Sequence, residues 1–199
     1  LIAGKVLMDS NCPEELRDSA STGYEHSKQL IERWHGKGRL GYAITPRFAL
    51  TSSEAQLEAA GRLAGEYPDV WVHTHLAENH DEVEQISRLF PWSSSYLDVY
   101  DRFGLVRERS VFAHCLHLQD DECRLMARSG AAAAHCPTSN MFLGSGLFDL
   151  RRLRELEIRV GLGTDVGGGT IVMWGAGDDR GYGDVGTFRQ SSSFFYLTG

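Results

Sequence analysis

The sequence contains no Cys-x-x-Cys pair; its four cysteines, Cys12, Cys115, Cys123 and Cys136, are scattered singly. That excludes a dense disulfide framework and argues for reduced thiols in a cytoplasmic setting. There is no basic cluster either. The 20 basic and 27 acidic residues give a net charge of −7, which argues against nucleic acid or an anionic membrane as partner. No apolar run approaches the roughly 20 residues needed to cross a bilayer. The chain lacks an initiator methionine and a signal peptide, and opens Leu1-Ile2-Ala3-Gly4 with an apolar run already under way. Its 199 residues therefore read as a piece of a larger domain. The composition is otherwise globular, 42% hydrophobic and 24% charged, so disorder is not expected.

What is present is an alternation of two patterns. Strand-like apolar runs fall at 1–8, 40–44, 70–75, 110–114, 130–135 and 159–163. Between them lie segments with helical spacing. Tyr24, Leu30, Ile31 and Trp34 form one stripe, stopped by Gly36 and Gly38, and Leu57, Ala60 and Ala64 form a second, closed by Pro68. The second opens with Thr51-Ser52-Ser53-Glu54, which predicts a capping box between Thr51 and Glu54. Val83, Ile86 and Phe90 form a third stripe, and 120–128 and 149–156 supply two more helices. Strands separated by helices predict repeated βα units and a parallel sheet.

Two parallel architectures fit that alternation. A dinucleotide-binding doubly wound sheet would carry Gly-x-Gly-x-x-Gly after its first strand, and the motif is absent. Polar residues instead close nearly every strand: Arg47, His75, His114, His135 and Asp165. In a (β/α)8 barrel those ends meet at one mouth, where active sites are built. The barrel is favoured, with six strands of eight present.

Three segments carry candidate chemistry. In Val70-Trp71-Val72-His73-Thr74-His75-Leu76-Ala77-Glu78-Asn79, strand alternation points His73 and His75 to one face, with His75 nearer the mouth. Glu78 follows where strand becomes loop. Imidazole binds zinc or iron well, and a nearby carboxylate can move protons. Taken alone, His73 reads more readily as a hydrogen-bonded core histidine, and Glu78 as a helix-start carboxylate. His114 ends the strand Val111-Phe112-Ala113-His114, and Asp165 follows Gly161-Leu162-Gly163-Thr164. Each of these also has a structural reading, as a satisfied core histidine and a turn aspartate.

Together, His-x-x-Glu, Ala-His and Gly-Thr-Asp at successive strand ends resemble the metal-dependent amidohydrolase superfamily, and within it the guanine deaminases. Thr45-Pro46-Arg47-Phe48-Ala49, His73-Thr74-His75-Leu76-Ala77-Glu78-Asn79, Phe112-Ala113-His114-Cys115, Cys136-Pro137-Thr138-Ser139-Asn140-Met141-Phe142-Leu143-Gly144-Ser145-Gly146 and Gly161-Leu162-Gly163-Thr164-Asp165 look like that family's segments in its order. The resemblance implies a partial (β/α)8 barrel over residues 1–170, running from the third to the eighth strand, and hydrolysis of guanine to xanthine and ammonia in purine catabolism. It implies zinc, or iron, held by His75, Asp165 and His114. Glu78, His114 and Asp165 would be catalytic, with Glu78 as proton shuttle. Arg47, Phe48, His75, Glu78 and Asn140 would contact the purine, Asn140 from a loop lining the pocket. A cytoplasmic homodimer of the full-length protein is also implied.

Two features depart from that family. Its first barrel strand carries a His-x-His pair supplying two further ligands, whereas the His-x-His here, His73-Thr74-His75, belongs to the fifth strand. Residues 171–199 show no helical period and read as a tail outside the family pattern, so the chain alone is expected to be inactive. The alternatives are another amidohydrolase acting on a pyrimidine, triazine or adenosine-like ring, for which Arg47-Phe48 would differ, and a non-catalytic incomplete barrel. A cytidine-type deaminase is excluded, because Cys136 precedes Pro137 and has no partner two residues on.

Overall fold

In the computed structural model the described residues are 1–165 and 194–195. The strands are β1 (Ile2–Ala3), β2 (Val6–Leu7), β3 (Gly41–Pro46), β4 (Trp71–Leu76), β5 (Ser110–His114), β6 (Ala132–His135), β7 (Arg159–Leu162) and β8 (Phe194–Phe195). The helices are α1 (Ala20–Trp34), α2 (Glu54–Glu66), α3 (His80–Leu89), α4 (Tyr96–Arg102), α5 (Asp120–Ser129), α6 (Pro137–Phe142) and α7 (Leu150–Glu155). The sheet order is β7-β6-β5-β4-β3-β1-β8, with β2 also on β3. Every pairing is parallel except β1 with β8. From β3 to β7 sequence neighbours are sheet neighbours, as in half of a (β/α)8 barrel.

The run at 1–8 divides into β1 and β2 without losing register, because Ile2 pairs with Gly41 and Val6 with Thr45. Gly4 marks the break. A Cβ there would stand 1.7 Å from the Ala43 carbonyl oxygen, so only glycine permits the approach. The helices cover one face of the sheet. Ile44, Val72, Leu76 and Phe112 pack beneath Leu57, Leu63, Ile86, Leu97 and Met126 in one continuous core, each such side chain contributing about 1.5–3 kcal/mol by burial. On the opposite face Val111, Ala132 and Ala134 form a smaller cluster with Trp71. That is the barrel interior.

The cap of α2 differs from expectation. Ser53, not Thr51, is the N-cap and accepts the Gln56 N–H at 3.2 Å. Asp9 causes the shift, taking the Ser53 N–H at 2.7 Å and the Ser53 hydroxyl at 2.5 Å. Thr51 instead closes a 3-10 turn, Ala49–Thr51. Two helices, α4 and α6, lie in segments the periodicity left unassigned. The expected tail at 171–199 and the glycines after Asp165 lie outside the described residues, apart from β8. Among the described residues no helix is long and apolar enough to cross a membrane.

Candidate active site

The interior face of β4 carries Trp71, His73 and His75, while Val72 and Leu76 face the helices. His73 is buried, and its ring centroid lies 6.2 Å from that of His75. On β5 the same alternation would place His114 on the helix side with Phe112. The His114 ring nevertheless stacks 5.3 Å from the His75 ring. The backbone makes the change, since His114 and Cys115 adopt left-handed φ values of 72° and 54°. Ala77 after β4 and Asp165 after β7 are also left-handed, at 50° and 45°. A non-glycine residue in that region costs on the order of 1–3 kcal/mol, and such strain collects where function imposes it. Here it falls at three strand ends that share one mouth.

Glu78, His114 and Asp165 form a candidate metal-binding triad, with one ligand atom from each lying within 4.8 Å of the others. His114 Nε2 is 3.6 Å from Glu78 Oε2. His114 is fully buried, and its Nδ1–H donates to Asn140 Oδ1 at 2.8 Å. That bond leaves the Nε2 lone pair facing the two carboxylates, and Nε2 makes no hydrogen bond among the described residues. A second partner fixing the tautomer of a ligating imidazole is the usual arrangement around a metal. One imidazole and two carboxylates also suit a divalent ion such as zinc or iron.

His75 stands beside the triad rather than within it. Its Nδ1–H donates to the Arg47 carbonyl at 2.7 Å, so its Nε2 is again the free lone pair. Burial holds the pKa of His73, His75 and His114 below the ordinary value, and mutual repulsion adds to it for His73 and His75. The shift favours the neutral form that metal coordination requires. Burial raises the Glu78 carboxyl, with nearby Asp165 adding and His75 opposing. A carboxyl pushed toward neutrality suits a group that must both take and give a proton.

Arg47 is exposed and Phe48 half-buried just after β3. The guanidinium lies 4.8 Å over the Phe48 ring, whose centroid is 6.0 Å from that of His75. Asn140 sits in α6, not in a loop, and is buried against His114. His135 ends β6 but stacks on Phe148 at 4.4 Å. Several contributors escape sequence reading. Ser145 donates its hydroxyl to Glu78 Oε1 at 3.3 Å, while its carbonyl accepts from His117 Nε2 at 2.9 Å. Buried Glu82 accepts the Glu78 N–H at 2.9 Å and the Tyr96 hydroxyl at 2.7 Å. The Asn79-x-x-Glu82 capping box was a visible signal for the latter.

Comparison with known proteins gives this arrangement a context. A sequence model described as the amidohydrolase family matches residues 1–190. A guanine deaminase of Escherichia coli (strain K12) is 54% identical over 170 residues, covering 85% of this chain and 39% of that protein. The solved structure of E. coli guanine deaminase superposes with a TM-score of 0.84 over the same shares. The structure of guanine deaminase from C. acetobutylicum with guanine in its active site is 36% identical, covers 83% of this chain and 40% of that one, and has a TM-score of 0.80. A zinc-bound adenosine deaminase from Xanthomonas campestris is 27% identical, covers 83% and 37%, and has a TM-score of 0.73. The chain thus spans about two fifths of the length of these relatives. With the match across nearly its whole length and a half-barrel whose strand ends bring His114, Glu78 and Asp165 together, the chain belongs to the amidohydrolase family.

Proposed function

We propose that this chain carries the deaminating half of a guanine deaminase, a zinc hydrolase converting guanine and water to xanthine and ammonia. The observation that carries the proposal is the triad of Glu78, His114 and Asp165 at the ends of β4, β5 and β7, beside Arg47 and Phe48 at the end of β3. His114, Asp165 and the neighbouring His75 would hold the metal. A bound zinc ion supplies a water acidic enough to react near neutral pH. Glu78 would take one proton from the attacking water and give it to N3 of the purine, then take the remaining hydroxyl proton of the C2 adduct and give it to the amine, which leaves as ammonia. Its half-buried position and raised pKa support that use. Arg47 donates to the purine carbonyl oxygen, Phe48 packs against the base, and Asn140 acts from beneath by orienting His114. Iron remains the alternative metal, because histidine and aspartate suit both. The cytoplasmic setting is supported by four free thiols, three of them buried; a homodimer rests on the family resemblance.

The test is xanthine formation by the complete zinc-loaded polypeptide, offered guanine, adenosine and a triazine in parallel. Turnover of guanine above the other two is expected. Turnover of adenosine or triazine with guanine left intact would overturn the substrate assignment.

A further inference from the structure

The site is assembled from segments that follow different strands, and one buried hydroxyl joins two of them. Tyr100, on α4, is fully buried between the helices and the sheet. Its O–H donates to the His75 carbonyl at 2.9 Å, and its oxygen accepts the Ala49 N–H at 2.9 Å. The Thr74 hydroxyl lies 3.1 Å from it and 3.2 Å from the Arg47 carbonyl. That carbonyl also accepts from His75 Nδ1 at 2.7 Å and from the His75 backbone N–H at 3.2 Å. The clasp between Arg47 and His75 is therefore pinned on both sides to one phenol: through Ala49 on the β3 side, and through the His75 carbonyl on the β4 side. The ring is held on its faces by Tyr96 at 5.6 Å and Phe112 at 5.8 Å.

We infer that Tyr100 is a positioning residue whose hydroxyl fixes the Arg47–His75 clasp, and with it the tautomer of His75 and the place of the Arg47-Phe48 segment. Its use in deamination rests on the functional reading above, whereas the clasp itself can be tested without metal or purine. The phenol oxygen reaches the His75 carbonyl and the Ala49 N–H rather than the His75 ring or the Arg47 side chain, so it acts through the backbone. A hydroxyl that satisfies two backbone groups and approaches the Thr74 hydroxyl is hard to replace, because burial leaves those groups no water. Phenylalanine keeps the ring packing and deletes only the oxygen.

The experiment compares the uniformly 15N-labelled 199-residue chain with Tyr100→Phe and Tyr24→Phe at pH 8. Imidazole 15N shifts report the tautomer of His75, and amide hydrogen exchange reports Ala49. The wild type is expected to hold His75 in the Nδ1–H form and to protect Ala49. Tyr100→Phe should admit the Nε2–H form and speed Ala49 exchange by about tenfold, the worth of one hydrogen bond. Tyr24→Phe, which removes a buried tyrosine's bond to Glu66 instead, should move neither. If Tyr100→Phe does not fold, Thr74→Val and Thr74→Ser read the same clasp, with the drift expected in valine alone. An unchanged tautomer and unchanged Ala49 exchange in the folded Tyr100→Phe chain, or an equal response from Tyr24→Phe, would overturn the inference. Failure of the wild-type complete protein to bind zinc or guanine would count against the functional reading and leave the clasp untouched.

Discussion

Replacing Asn140 by alanine separates a packing role from a metal-directed one. Asn140 Oδ1 is the acceptor for His114 Nδ1–H, and both side chains are buried. Removing the acceptor leaves an imidazole N–H without a partner, which costs about 1–3 kcal/mol. The deletion also removes Asn140 Nδ2, itself buried without a hydrogen bond among the described residues. That relief offsets part of the loss, so the net destabilisation should sit near the lower end, about 1 kcal/mol. Metal affinity should respond more strongly. With its tautomer unconstrained, His114 no longer presents the Nε2 lone pair consistently, and loss of such an outer partner costs about 10–100-fold in affinity. That range equals about 1.4–2.8 kcal/mol. Urea unfolding by circular dichroism gives the first quantity, and Zn2+ titration calorimetry at pH 7 gives the second. If zinc affinity changes less than threefold while stability falls by 1 kcal/mol, Asn140 merely fills the core and the reasoning fails.

Three further outcomes follow from the same geometry. Burial holds His73, His75 and His114 below their ordinary pKa, and His135 down to about 4. Below about pH 6.5 the unfolded chain therefore binds protons that the folded chain refuses, and stability must fall, by up to about 1.4 kcal/mol per pH unit for each histidine. For His135 the loss runs from about pH 6.5 to about 4; the raised Glu78 carboxyl works in the opposite sense and offsets part of it. Urea titrations at pH 7.5, 6 and 5 check the sign, and equal stability at all three would contradict it. In the complete protein, Glu78→Gln should keep the metal but lower kcat by about 10²–10⁴-fold, whereas Arg47→Ala should chiefly raise the KM for guanine; steady-state kinetics with metal analysis distinguishes them, and the reverse pattern would exchange the two roles. The 199-residue chain alone should bind zinc weakly and form little xanthine, since it offers His75, His114 and Asp165 without a further His-x-His pair; stoichiometric zinc after dialysis would refute this.

Much of this architecture is written in local pattern. Six apolar runs closed by polar residues placed the sheet, and His75, Glu78, His114 and Asp165 were identifiable by their positions at strand ends. The rest depended on contacts between distant segments. Asp9 moves the α2 cap from Thr51 to Ser53 across more than forty positions of sequence, which no local box can show. Helix α4 is seven residues long and α6 six, too short for an apolar stripe to repeat. The re-aiming of His114 arises from a left-handed φ at a non-glycine residue, and strict strand alternation would have turned its ring away. The triad also draws in Glu78, which sequence resemblance had assigned to proton transfer, while His75 lies alongside. Both nitrogens that settle the histidine tautomers are held by groups invisible in a motif, the Arg47 carbonyl and the Asn140 amide.

The central claim is that the ends of β4, β5 and β7 build one metal site. Paramagnetic broadening by Mn2+ or Co2+ tests it directly in the 199-residue chain, observed through the imidazole resonances of its eight histidines. His114 and His75 should broaden first, His26 and His35 on and after α1 should stay sharp, and Asp165→Asn should weaken the effect. Broadening spread evenly over all eight histidines, or confined to His26 and His35, would contradict it.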